Sequence, residues 1–126
     1  MTKKILLVDD EPDVTYTIKK IVEDNGFKAD SFNGPILALN NYKVNFYDLV
    51  LLDIKMPTMD GFELYLKIRE KDPKVKICFL TVIATFNEEF RKIRLALGKT
   101  INEDYFIQKP VEMKDLLKKL TSIMNI

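Results

Sequence analysis

Five side chains in this sequence have the types and settings needed to handle a phosphoryl group: Asp9, Asp10, Asp53, Thr81 and Lys109. Asp53 closes the run Tyr47-Asp48-Leu49-Val50-Leu51-Leu52-Asp53, in which four apolar residues lead straight into a carboxylate. Asp9 and Asp10 close a second apolar run, Ile5-Leu6-Leu7-Val8, while Thr81 and Lys109 stand at the ends of two more. Carboxylates drawn into one pocket repel and resist ionising together. A hard cation relieves that repulsion; Mg²⁺ takes one or two carboxylates, keeps several waters and also binds phosphate oxygens. A hydroxyl and an ammonium beside such a site suit the remaining phosphate oxygens. The chemistry to expect is transfer of a phosphoryl group to Asp53, which acts as nucleophile and becomes an acyl phosphate. The other groups would position and neutralise it.

Singly, each residue has a plainer use. A strand-terminal Asp is often a helix cap, a threonine is an ordinary strand residue, and a lone lysine is usually a solvated charge. The five carry weight together because they fall at the same ends of four predicted strands.

Those strands alternate with helices. Lys4–Val8 reads as a first buried strand. Pro12 fits the first turn of a helix, with Asp10 or Glu11 near its cap. Val14, Ile18, Ile21 and Val22 share one face of that helix, and Gly26 is its stop. Phe27–Phe32 predicts a second strand, at an edge. Asn33-Gly34-Pro35 opens a weakly patterned second helix through about Tyr42. Tyr47–Asp53 predicts a third strand, its continuous apolar run suited to burial on both faces, although periodicity alone leaves a buried helix segment open.

Asp60–Lys71 predicts a third helix with Phe62, Tyr65, Leu66 and Ile68 inward, ended at Asp72-Pro73. Val75–Thr81 is a fourth strand, Asn87–Leu97 a fourth helix carrying Phe90, Ile93 and Leu97, and Tyr105–Gln108 a fifth strand. A last helix runs over Glu112–Met124 with Met113, Leu116, Leu117, Leu120 and Met124 on one stripe. Right-handed crossovers make this an α/β fold, a (βα)5 doubly wound, five-stranded parallel sheet. In the order 2-1-3-4-5, strands one and three are neighbours at the topological switch point, where ligands bind. The three aspartates should therefore meet.

The 126 residues suit one domain spanning 1–126, and a hydrophobic fraction of 47% is enough for a packed core. A net charge of +1 gives no general attraction to nucleic acid or to a membrane surface. No apolar run approaches the roughly 20 residues that span a bilayer, so a cytoplasmic domain is expected. The single cysteine, Cys78, lies in an apolar run and reads as a buried structural thiol. The chain has no histidine. Histidine-based triads and zinc sites are excluded, and a phosphoryl group arriving from histidine must come from another protein.

The quoted motifs resemble those of the response-regulator receiver domains, the CheY-like superfamily of flavodoxin-like fold. They are Ile5-Leu6-Leu7-Val8-Asp9-Asp10-Glu11, then Asp53-Ile54-Lys55-Met56-Pro57 with Met59-Asp60-Gly61, then Leu80-Thr81 and Lys109-Pro110. The resemblance covers essentially the whole chain. It implies a phosphorylation switch of two-component signalling rather than an enzyme, with Asp53 as phospho-acceptor. It also implies Asp9 and Asp10 as Mg²⁺ ligands with the backbone carbonyl of Lys55, and Thr81 and Lys109 as phosphate contacts. Lys109-Pro110 would be cis, and Phe106 would change rotamer as Thr81 moves inward. The implied partners are a histidine kinase or histidine phosphotransfer protein and a downstream output protein. Neither direct nucleic-acid binding nor membrane insertion is implied, and the state is a monomer or a phosphorylation-linked dimer. The implied output face is the fourth helix, fifth strand and last helix. Because no DNA-binding segment follows the last helix, output is expected through protein contact.

Three features depart from the family pattern. Val82 follows Thr81 where a small residue is usual and would crowd phosphoryl entry. Ile83 and Lys55 occupy positions that tune loss of the phosphoryl group. The segment from Thr81 to Lys109 is longer than usual, with Gly98–Asn102 taking up the length as a loop. A pseudo-receiver that binds partners without phosphate is the alternative these features raise. An aspartate-nucleophile phosphohydrolase would want an acid where Lys55 stands.

Overall fold

The computed structural model describes residues 2–82 and 105–126, together with Arg91 and Leu95. Its elements are β1 (Lys4–Val8), α1 (Pro12–Asp24), β2 (Lys28–Phe32), α2 (Pro35–Asn40), β3 (Leu49–Asp53), α3 (Gly61–Lys71), β4 (Lys76–Thr81), β5 (Phe106–Gln108) and α4 (Met113–Met124). The strands form one parallel sheet in the order β2-β1-β3-β4-β5. This is the expected doubly wound arrangement. The predicted fourth helix, Asn87–Leu97, and the loop at Gly98–Asn102 lie outside the described residues, apart from Arg91 and Leu95.

Side chains alternate across a strand, and the core divides accordingly. Leu6, Val8, Val50, Leu52, Ile77 and Phe79 pack with Leu64 and Ile68 of α3 on one side of the sheet. Ile5, Leu7, Leu49, Leu51, Cys78, Leu80 and Ile107 pack with Ile18 and Val22 of α1 and with Leu116 and Leu120 of α4 on the other. All five residues of β3 are buried, as an apolar run without alternation requires. Cys78 is a free, fully buried thiol.

Most element starts fall one or two residues later than the pattern reading, whereas most C-terminal ends coincide with it. The second helix is shorter, stopping at Asn40 rather than near Tyr42. Two inward assignments are corrected. Leu66 is exposed, and Leu64, two residues earlier and on nearly the opposite face, is the one in the core. Met113 is also exposed; it sits in the first turn, beyond the reach of the sheet, while Ile123 completes the buried stripe.

Local chemistry explains the helix starts next to the carboxyl edge of the sheet. Pro12 opens α1, where its fixed φ suits the first turn. Asp60 caps α3 by accepting a hydrogen bond from the Glu63 N–H at 2.8 Å. Gly61 then donates its N–H to the Ile54 carbonyl at 2.7 Å, which folds the loop back onto the end of β3. A Cβ at Gly61 would lie 2.1 Å from the Asp53 carbonyl oxygen. The backbones must touch there, so Gly61→Ala should destabilise the protein by roughly 1–3 kcal/mol, the scale of core overpacking. Urea unfolding measures this; an unchanged midpoint would show that the loop yields without cost.

Candidate metal centre at the carboxyl edge of the sheet

Sheet register assembles the site. Val8 pairs with Leu52, so Asp9 and Asp53 are the next residues along adjacent strands. Both share the parity of the side chains facing α1 and α4, and so does Lys109, two after Ile107. The ladders continue past the strand ends: the Ile54 N–H donates to Leu80 O at 3.1 Å, and the Lys109 N–H to Thr81 O at 2.8 Å. The first bond holds the backbone just after Asp53 against β4, and the second holds Lys109 beside Thr81.

The β1–α1 turn is held separately. The Asp9 N–H donates to Phe32 O at 3.2 Å, and Asp9 Oδ1 accepts from the Glu11 N–H at 2.9 Å. Asn33 Nδ2 donates to both the Asp9 carbonyl and Thr15 Oγ1, each at 2.9 Å. Neither role of Asn33 was legible in the chain order, because its partners, at the end of β1 and in α1, are 24 and 18 residues away.

One carboxylate oxygen from each of Asp9, Asp10 and Asp53 falls within 4.8 Å of the other two. Lys109 Nζ stands beside them, 2.6 Å from Asp9 Oδ2, 3.3 Å from Asp53 Oδ1 and 3.3 Å from Glu11 Oε1. Asp9 is fully buried, Asp53 and Thr81 nearly so. The ammonium supplies charge to Asp9 Oδ2 without aligning a good hydrogen bond to it. That buried oxygen therefore keeps lone-pair capacity directed into the cluster.

The charges do not balance. Burial and the neighbouring Asp9 charge raise the Asp53 carboxyl to about 7, although Lys109 opposes them. Burial by itself would lower the Lys109 ammonium, but the Asp9 carboxylate paired with it at 2.6 Å and the charge of Asp53 outweigh it, and its pKa is raised. Hard oxygen donors with excess negative charge fit a Mg²⁺ site.

A cavity of about 80 Å³ opens over Asp53, lined by Glu11, Ile54, Lys55, Thr81, Val82 and Lys109. The structure thus brings Asp9, Asp10, Asp53, Lys55, Thr81 and Lys109 to one place. Phe106 lies beneath it in the core, its ring stacked on Phe79 with centroids 5.5 Å apart. The Lys109-Pro110 peptide is cis. Val82 is exposed on the rim, and Ile83 lies outside the described residues. Glu11, quoted in the motif but given no part there, proves to be the third acid on Lys109.

Among the described residues, no helix is long and apolar enough to cross a membrane. The model of the response regulator receiver domain matches residues 5–121. Hybrid signal transduction histidine kinase L of Dictyostelium discoideum is 34% identical over 122 residues, covering 92% of this chain and 7% of the relative. The sensor protein EvgS of Escherichia coli K12 is 37% identical over 122 residues, covering 97% of this chain and 10% of the relative. The chain thus spans a tenth or less of these two proteins. The non-phosphorylated HemR receiver domain of Leptospira biflexa superposes with a TM-score of 0.83 at 30% identity, covering 99% of this chain and 96% of that one. A likeness that runs nearly end to end, in sequence and in backbone alike, is a likeness of the whole domain: this chain belongs to the response regulator receiver domain family of two-component signalling.

Proposed function

We propose that this chain is a phospho-accepting switch in which Asp53 takes a phosphoryl group. The observation that carries the reading is the meeting of Asp9, Asp10 and Asp53 around Lys109 at one strand edge. Asp9, Asp10 and Asp53, with the Lys55 carbonyl, would hold Mg²⁺, which when bound supplies positive charge to the phosphate oxygens. The carboxylate oxygen of Asp53 forms the new O–P bond. With phosphohistidine as donor, the N–P bond breaks and the imidazole keeps the electron pair. With acetyl phosphate, the acetate leaves in the same way. Lys109 and Thr81 then receive the phosphoryl oxygens that Asp53 now carries.

Residues 1–126 contain no histidine, which supports a histidine kinase or phosphotransfer domain outside these residues as donor. Phe106, packed on Phe79 below the site, is the residue we assign to relaying the change in Thr81 toward β5 and α4. Output is a protein contact on that side of the fold. The role is that of a signalling switch, with chemistry limited to gaining and losing one phosphoryl group.

Incubation with acetyl phosphate and Mg²⁺ should add one phosphoryl mass to the intact protein, and Asp53→Asn should abolish the gain. A folded, Mg²⁺-loaded wild type that gains nothing would favour the pseudo-receiver, the reading that the branched Val82 on the rim supports. Lys109→Ala should leave metal binding largely intact but remove the difference in partner binding between phosphorylated and unphosphorylated protein. Equal responses in mutant and wild type would refute its coupling role.

Mg²⁺ binding must displace the proton that Asp53 holds with a pKa of about 7. Affinity should therefore fall as pH drops below about 7, approaching tenfold per pH unit for one proton. In the metal-free protein the raised value means the folded state holds this proton more tightly than the unfolded chain. Its stabilising contribution is full below about 3.9 and lost as pH rises through about 7. Saturating Mg²⁺ should thus raise the unfolding midpoint more at pH 8 than at pH 6, and an equal shift at both would contradict the linkage.

A further inference from the structure

Glu11 occupies the N-cap position of α1, yet its side chain makes no cap hydrogen bond. Residues favoured at that position use a short side-chain oxygen to satisfy the first N–H groups of the helix. Glu11 instead reaches across to Lys109, with Oε1 3.3 Å from Nζ. The carboxylate is therefore not explained by the helix it begins.

An ammonium has three N–H donors. Lys109 already meets three carboxylates, at 2.6 Å (Asp9), 3.3 Å (Asp53) and 3.3 Å (Glu11). A phosphoryl oxygen arriving here competes with these acids for the ammonium, and of the three contacts the one to Glu11 has hydrogen-bond geometry. The Asp9 and Asp53 side chains are 0% and 6% exposed, so losing the ammonium before the O–P bond forms, while both are still carboxylates, would strand buried charge. The Glu11 side chain is 63% exposed. Water can solvate it as it leaves, and its pairing is screened even when formed. Glu11 is the contact that yields at least cost.

Position adds a second consequence. Glu11, Val82 and Lys109 line both the 80 Å³ cavity over Asp53 and a neighbouring 410 Å³ cavity bounded by Val14, Thr17 and Ile18 of α1 and by Pro110 and Val111. The Glu11–Lys109 pair stands where the two spaces meet.

We propose that Glu11 is a displaceable latch, holding Lys109 across the mouth of the Asp53 cavity and releasing it when a phosphoryl oxygen arrives. The latch rests on the reading of Asp53 as phospho-acceptor. It makes Glu11 a positioning residue that acts through Lys109, and it slows loading of the empty site.

Two variants test it on the full chain. Glu11→Gln keeps the shape and removes the charge. Glu11→Asp keeps the charge, but the shorter side chain turns to cap α1 and no longer reaches Lys109. Both should take a phosphoryl group from acetyl phosphate about two- to fivefold faster than wild type, the range set by an exposed ion pair. A wild-type rate in Glu11→Gln overturns the latch. A wild-type rate in Glu11→Asp alone shows that charge repels the donor without a latch, which also overturns it. Mg²⁺ affinity of the unphosphorylated variants, read by calorimetry, should be equal or weaker; tighter binding would assign the gain to the metal instead. In a crystal with beryllofluoride on Asp53, Glu11 should have left Lys109, and a retained 3.3 Å contact counts against release.

Acylation of Lys109 by an amine-reactive ester, mapped by mass spectrometry without metal or phosphate, should be faster in Glu11→Gln. This measurement decides the latch even if wild type takes no phosphoryl group, a result that would instead defeat the reading of Asp53. Unchanged labelling of Lys109 would defeat the latch.

Discussion

Like charge held together by one opposing charge is the constraint on which this structure depends. Asp9 and Asp53 are buried side by side with Lys109 between them, and Asp10 and Glu11 add further negative charge at the rim. Burial removes the water that would otherwise screen the acids, so their repulsion persists in the fold. One ammonium answers only part of it, which is why the Asp53 carboxyl is displaced far from its ordinary range. The same imbalance that costs stability makes the site receptive to a divalent cation.

The rest of the carboxyl edge is built to hold that arrangement still. Hydrogen bonds from Ile54 and Lys109 extend two ladders beyond the strands, and Asn33 clips the β1–α1 turn. The β3–α3 loop is pressed against Asp53 by Gly61 and carries local strain as well. Thr58 sits at φ 75°, and the Met59 N–H closes onto Pro57 O at 2.8 Å, a tight three-residue turn that a β-branched side chain disfavours. Such strain persists only where its surroundings over-determine the backbone. Here the cap at Asp60 and the contact at Gly61 do so.

Below the site the core is continuous with the chemistry. Phe106 stacks on Phe79, and Phe79 meets Tyr65 of α3 at 5.7 Å between ring centroids. In a close-packed interior a side chain that moves must be met by another arrangement of its neighbours. Under the proposed function, this aromatic row is where a change at Thr81 would first be felt away from the rim.

The one-dimensional pattern was sufficient for the fold class and, once the doubly wound order 2-1-3-4-5 is adopted, for the membership of the carboxylate cluster. The reason is that buried parallel strands read as short apolar runs, and residues that end such runs must reach the same edge of the sheet. It misplaced Leu66, whose apolar type hides that it faces away from Leu64 and Ile68, and Met113, because helical spacing gives a face but not how far along the helix it stays covered. It read Asn33 only as part of a helix opening and Glu11 only as a possible cap, since hydrogen bonds between distant segments and ion pairs across the sheet have no signature in sequence spacing. Only the tertiary structure decided that Lys109 meets three acids at once and that a β-carbon at Gly61 would collide with Asp53. Those are matters of a few tenths of an ångström between segments far apart in the chain, and packing alone sets them.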